Sequence, residues 1–131
     1  MASNDKFSEE YLQSLCYQWF HNTYPALRGL LFHIPNGGNR SVREGAKFKA
    51  MGVVPGVPDL LLCVPCGMAW HALFIEMKAQ GGKLSPAQVK EQPRLRSAGY
   101  AVETIDSIDA FKALVSNWVA HTHHSIAIDG R

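Results

Sequence analysis

The sequence holds no apolar run near the roughly 18 residues that a membrane-spanning helix requires. Its opening, Met1-Ala2-Ser3-Asn4-Asp5-Lys6, lacks the blocks of a secretory signal. These absences argue against a bilayer-embedded or exported protein; the expectation is a soluble, cytoplasmic chain with no membrane partner. Cysteine is scarce as well. Cys16, Cys63 and Cys66 make an odd count that suits a reducing compartment better than a disulfide scaffold. Nor is there a repeat, a low-complexity tract or a linker. The 131 residues are therefore read as one domain, 1–131, with a core over about 8–120 and a tail over about 121–131.

What is present is a hydrophobic fraction of 47%, enough for a globular fold, and a charge pattern that the net +2 conceals. Residues 40–96 hold nine of the 13 Lys and Arg but four of the 11 acids, a local balance of +5, while the flanks stand at −3. A positive centre suits a polyanionic ligand, although the chain is not basic enough for charge alone to establish nucleic-acid binding.

Apolar periodicity divides the chain into helices and strands. Residues 8 to about 22 read as an amphipathic helix, with Tyr11, Leu12, Leu15, Cys16 and Trp19 at helical spacing and Ser8 as N-cap. Residues 30–34 form a short strand ended by Pro35, and Asn36-Gly37-Gly38-Asn39 a turn. A second helix runs from 41 to about 51, with Arg40, Arg43 and Lys47 along one side and Val42, Ala46 and Ala50 on another. Residues 59–64 and 69–78 make a hairpin closed by Pro65-Cys66-Gly67-Met68. Ser85-Pro86-Ala87-Gln88 is a capping box that opens a third helix, which Pro93 kinks or ends and Gly99 closes. A strand over 100–105 follows. A last helix, capped by Asp106 or Ser107, buries Ile108, Phe111, Leu114, Val115 and Trp118. The order α-β-α-β-β-α-β-α predicts an α/β sandwich on a mixed sheet.

Asp59 and, seventeen residues later, the tripeptide Glu76-Met77-Lys78 are the charges that fit that hairpin worst. A four-residue turn over 65–68 sets Asp59 near Phe74 and Glu76 near Val57. Parity then puts Asp59, Glu76 and Lys78 on one face, because opposed residues share a face and faces alternate along a strand. The plain alternative is a salt-bridged strand end in which Lys78 neutralises Glu76. Against it, the aliphatic residues around both carboxylates imply burial, which is costly unless a cation or hydrogen bonds compensate. Two carboxylates with waters suit Mg²⁺ or Mn²⁺, and a lysine beside them suits charge stabilisation or proton handling.

Asn36-Gly37-Gly38 can offer backbone N–H groups to a phosphate, and Arg40, Arg43 and Lys47 can follow a nucleic-acid backbone. The bland alternative is a turn before a solvated helix face. Lys83, Lys90, Arg94 and Arg96 are weaker candidates. Cys63-Val64-Pro65-Cys66 could be half a zinc site or a redox pair, but no second cysteine pair exists. Only His71 or the histidines at 121, 123 and 124 could complete it, so hairpin packing is preferred. His33 reads as a satisfied core or rim histidine rather than a ligand, with contact to a substrate as the alternative.

Pro58-Asp59 followed by Glu76-x-Lys78 resembles the PD-(D/E)XK nuclease signature. A longer ordered set is similar to the virus-type replication-repair nuclease (VRR-NUC) domain. It comprises Asn36-Gly37-Gly38, Gly52-Val53-Val54-Pro55-Gly56-Val57-Pro58-Asp59, Glu76-Met77-Lys78, Lys83-Leu84-Ser85-Pro86-Ala87-Gln88 and Gly99-Tyr100, within residues 8–115. The chain looks like a small stand-alone member of the phage or bacterial kind. The resemblance implies a restriction-endonuclease-like fold and a Mg²⁺- or Mn²⁺-dependent endodeoxyribonuclease. It further implies a preference for branched DNA such as Holliday junctions or flaps, and a homodimer.

Carried over by residue, the resemblance makes Asp59 and Glu76 metal ligands, with the Met77 backbone carbonyl a third. Lys78 orients or activates the attacking water. Gln88 helps to position the site, in partial competition with its capping role. The family also supplies a glutamate from its first helix, for which Glu9 and Glu10 compete. At about 100° per residue, Glu9 falls roughly 90° from a stripe centred near Leu15 and Trp19, and Glu10 nearly opposite it. That favours Glu9, although either acid also suits the dipole of a helix N-terminus. The rival readings are a branched-DNA binding module without turnover and a zinc or redox protein built on Cys63 and Cys66.

Overall fold

The computed structural model describes residues 5–35 and 42–122, with side chains from Glu9 onward. Strands β1 (Leu31–His33), β2 (Leu60–Leu62), β3 (Leu73–Met77) and β4 (Ala101–Ile105) form one sheet in the order β1-β2-β3-β4. The first two pairings are antiparallel and the third is parallel, so the sheet is mixed as expected. Helices α1 (Asp5–Thr23), α2 (Val42–Ala50), α3 (Pro86–Ser97) and α4 (Ile108–Ala120) complete the α/β architecture.

Strand alternation divides the sheet into two faces. Leu31, Leu60, Leu62, Leu73, Ile75 and Met77 are buried against Cys16 and Phe20 of α1 and Phe111, Val115 and Trp118 of α4. Each such aliphatic or aromatic side chain contributes roughly 1.5–3 kcal/mol by leaving water. The other face carries the register-aligned row Phe32, Leu61, Phe74 and Val102. Phe74 meets Tyr100 edge-on there, with ring centroids 5.8 Å apart.

The hairpin register differs from the expected one by two residues: Leu60 lies opposite Ile75, Leu61 opposite Phe74 and Leu62 opposite Leu73. The reversal is longer than a four-residue turn. Cys66 and Trp70 pair with each other, so the chain turns over Gly67-Met68-Ala69, and residues 63–65 face the two residues 71–72. That extra residue is held in place. The Cys63 N–H donates to the Leu30 carbonyl at 2.7 Å, and the Trp118 indole donates to the Val64 carbonyl at 2.6 Å.

Two helices also depart from expectation. Helix α1 begins at Asp5, so Ser8 lies inside it and is not its N-cap; no proline or glycine stands between them to break the helix. The buried stripe of α1 is centred on Cys16 and Phe20, whereas Tyr11 and Leu15 are exposed. Tertiary packing against the sheet and α4, not apolar content alone, sets that centre. Helix α2 buries no residue at all, and Val42, Ala46 and Ala50 face solvent; Gly45 and Phe48 are its half-covered positions.

Pro93 does not end α3, which continues to Ser97. Beyond the proline, Arg96 Nη2 donates to the Val102 carbonyl at 3.0 Å and to Gln92 Oε1 at 3.4 Å, tying the second half of the helix to β4. Gly99 then closes the segment at φ 98°, where a Cβ would stand 2.5 Å from the His71 ring. A 3-10 turn, Pro25–Leu27, lies between α1 and β1. Helix α4 starts as expected, with the Ser107 hydroxyl accepting from the Ala110 N–H at 3.1 Å.

Candidate active site

The two-residue change of register keeps Asp59, Glu76 and Lys78 on one face and improves their meeting. Extended by one pair, it places Asp59 directly across from Glu76. Asp59 is fixed at both ends. Its Oδ2 accepts the Met77 N–H at 2.8 Å, and its carbonyl accepts the Ile34 N–H at 2.7 Å and lies 2.8 Å from His33 Nδ1.

Glu76 is 2% exposed, and its Oε1 has no hydrogen-bond partner among the described residues. Burial is the main force that pushes its carboxyl up to about 9. The Asp59 carboxylate beside it adds to the shift, Lys78 opposes it, and the charge of Glu9 adds a smaller push. Without a cation, then, burial and the neighbouring Asp59 favour the protonated form of Glu76. Lys78 is half-buried and its charge is felt at Glu76, yet no carboxylate among the described residues stands within 4.0 Å of it. The salt-bridged strand end is therefore not what forms.

Gln88 performs two tasks without competition, because its amide has two ends. Oε1 accepts the Ser85 N–H at 2.8 Å, while the Gln88 N–H donates to the Ser85 hydroxyl at 3.2 Å, and the capping box is complete. Nε2 is left to donate to Glu76 Oε2 at 3.1 Å. The expected partial conflict does not arise. The same turn of helix is pressed from outside by the loop leading to Asp59. Gly56 sits there at φ +90°, and a Cβ would run into the carbonyl of Ala87. Only glycine satisfies both the backbone angle and the approach.

The α1 stripe decides how the first-helix acids are placed. At about 100° per residue, Glu9 falls in line with Cys16 and Phe20, and Glu10 turns well away. Glu9 is accordingly half-buried and its charge reaches Glu76, whereas Glu10 is exposed. Among the described residues, no three His, Cys, Asp or Glu side chains stand close enough together to hold a metal ion. Asp59 and Glu76 form the pair, and Glu9 stands farther off. Met77 contributes its N–H to Asp59.

Arg43 and Lys47 are exposed on α2, while Asn36, Gly37, Gly38 and Arg40 lie outside the described residues. Cys63 is exposed and Cys66 half-buried, both as free thiols. One meeting escapes sequence reasoning altogether, that of Gln13 with His33. Gln13 Nε2 lies 3.1 Å from His33 Nδ1 across 20 residues of chain, and no local pattern encodes that approach.

The model of the VRR-NUC domain matches residues 5–109. This chain belongs to the VRR-NUC family. A solved VRR-NUC domain protein superposes with a TM-score of 0.74 at 27% identity, covering 88% of this chain and 90% of its own. By sequence the chain is also similar to a phage protein provisionally named nuclease p44, from Acyrthosiphon pisum secondary endosymbiont phage 1. It is 43% identical over 54 residues, which are 41% of this chain and 55% of that protein. The matched segment thus spans about half the length of that curated relative. For the VRR-NUC chain described here, the donor set fits a hard divalent cation. Two opposed carboxylates converge, and one presents a buried oxygen that no described protein group satisfies.

Proposed function

We propose that this VRR-NUC protein is a Mg²⁺- or Mn²⁺-dependent endonuclease that hydrolyses phosphodiesters in branched DNA, with Holliday junctions foremost. The observation that carries the reading is the opposed pair Asp59 and Glu76, with the buried Oε1 of Glu76 unsatisfied by any described residue. Lys78 stands two residues on, with no described carboxylate within 4.0 Å. Asp59 and Glu76 would hold the cation, aided by the Met77 carbonyl and by Glu9. When bound, that cation supplies Lewis-acid stabilisation of charge on the phosphate.

The protein's own groups do the rest. Asp59 is kept in place by the Met77 N–H, and Glu76 by the amide of Gln88. Lys78, not neutralised by a described carboxylate, directs its charge at the phosphate oxygens as negative charge develops, and it orients the attacking water. Water attacks in line at phosphorus, the bond to the 3′ oxygen breaks, and that oxygen takes up a proton. The products carry a 5′-phosphate and a 3′-hydroxyl. Arg43 and Lys47 on the exposed face of α2, with Arg40 and the 36–38 turn, would follow the DNA backbone. A homodimer matches the two symmetric strands that a four-way junction presents.

Purified protein should nick labelled four-way junctions only with Mg²⁺ or Mn²⁺ present. Lys78→Ala should abolish nicking and leave junction binding intact. Unchanged cleavage by that variant would sink the assignment.

A further inference from the structure

Between Glu9 and Leu15 no residue of α1 is buried, and the helix sinks into the core only from Cys16 onward. Leu12 rests on the core half-covered. A second hold on this half of the helix is polar: Gln13 Nε2 lies 3.1 Å from His33 Nδ1, at the end of β1. Gln13 comes one turn after Glu9, on the same face of α1. His33 is directed to the α1 side of the sheet, since its register partner is the buried Leu60.

The same imidazole nitrogen lies 2.8 Å from the Asp59 carbonyl, which also accepts the Ile34 N–H at 2.7 Å. Both lone pairs of that oxygen are thereby used. A carbonyl can only accept, so the contact requires a hydrogen on Nδ1. Nδ1 then has no lone pair for an N–H, and Gln13 must turn its oxygen toward the ring. The two ends of an amide have the same shape, so this turn needs no extra space. The single Nδ1–H is then shared between Asp59 and Gln13 as a three-centre bond. Through His33, α1 is tied to the residue that opposes Glu76.

Asp59 and Glu76 belong to the sheet, whereas Glu9 comes from a helix packed on it and stands farther off. For Glu9 to share a cation with the pair, the first half of α1 must keep a fixed distance from the start of β2. We propose that His33 and Gln13 are positioning residues, which clamp α1 to the Asp59 backbone and so set the reach of Glu9 toward a cation held by Asp59 and Glu76. The inference rests on the metal-nuclease reading of that pair. Neither residue touches the cation or the phosphate. The clamp acts through one solvent-exposed hydrogen bond, which sets its effect on cation affinity at about fivefold.

The test reads Mn²⁺ affinity of the full chain by calorimetry without DNA, alongside melting temperature in chelator. Gln13→Met keeps side-chain length and helix propensity and removes the acceptor. It should bind Mn²⁺ about fivefold more weakly than wild type, with a melting temperature nearly unchanged. His33→Asn places an amide nitrogen where Nδ1 stood and should bind as wild type does. His33→Gln reaches only the Nε2 position and should share the loss. In a Glu9→Gln background, Gln13→Met should have no further effect, because nothing remains for the clamp to position. The same loss with and without Glu9, or equal binding by His33→Asn and His33→Gln, would overturn the proposal. Tight binding by wild type and Gln13→Met alike removes the clamp alone. A wild type that binds no Mn²⁺, or Glu76→Gln that binds it as wild type does, removes the reading of the pair and the clamp with it.

Discussion

Asp59 and Glu76 face each other across two strands whose other side is closed by α1 and α4, whereas α2 buries none of its side chains. In the first region every position is set from several directions: by register, by the Met77 N–H, by the Gln88 amide and by the loop at Gly56. In the second, Arg43 and Lys47 project from a helix whose own coverage is limited to Gly45 and Phe48. Chemistry that depends on tenths of an ångström belongs to the restrained region. Attraction of a polyanion, which acts over about 10 Å at moderate salt, can be left to the loose one. Substitutions should therefore act differently in the two places.

The largest effect is expected at the pair itself. Glu76→Gln should reduce junction nicking to background, measured with Mn²⁺. The same change separates activity from stability. Because the folded protein raises the Glu76 carboxyl from 4.5 to about 9, the protonated form favours folding. That contribution is complete below pH 4.5 and is lost as pH rises toward 9. In chelator, melting temperatures of wild type should fall relative to Glu76→Gln across that window. A constant difference between the two would show that Glu76 is not a buried acid.

Divalent cation should reverse that cost. At a hundredfold excess over its Kd, Mn²⁺ should stabilise wild type by about 2.7 kcal/mol and leave Glu76→Gln unmoved, read by thermal melting. Gly56→Ala comes next. Its positive φ and the Ala87 carbonyl predict a loss of about 1–3 kcal/mol in urea unfolding, together with a fall in kcat. Gln88→Ala removes one end of the capping box and the hold on Glu76. About tenfold in kcat and about 1 kcal/mol in stability are expected, whereas Ser85→Ala should affect stability more than kcat.

The smallest change in stability is predicted on α2. Arg43→Ala with Lys47→Ala should alter unfolding by no more than about 0.5 kcal/mol. Junction affinity should weaken, and its logarithmic salt slope should become shallower by about 0.9 for each phosphate that the variant no longer neutralises. A large loss of stability there would erase the contrast between the two regions.

The order of elements is legible in the sequence because apolar period, capping box and turn residues act locally. Convergence of Asp59, Glu76 and Lys78 is legible too, since any odd-parity register puts them on one face. The register itself is not. The extra residue opposite 71–72 is held by Leu30 and Trp118, partners far away in sequence. The same limit explains the α1 stripe. Tyr11 and Leu15 look as apolar as Cys16 and Phe20, and only the sheet and α4 choose between them. Pro93 reads as either a kink or a terminator, because the anchoring of Arg96 to β4 is invisible in the chain. Gln88 reads as a residue with competing roles until the two ends of its amide are seen to point at different partners.

Pro93 has no N–H to give the Val89 carbonyl, which a regular helix would bond from four residues on. The ladder of α3 is therefore interrupted between the half that holds Glu76 and the half that holds β4. Hydrogen exchange of the amides on either side of Pro93 should therefore differ in rate, the expected mark of that single gap.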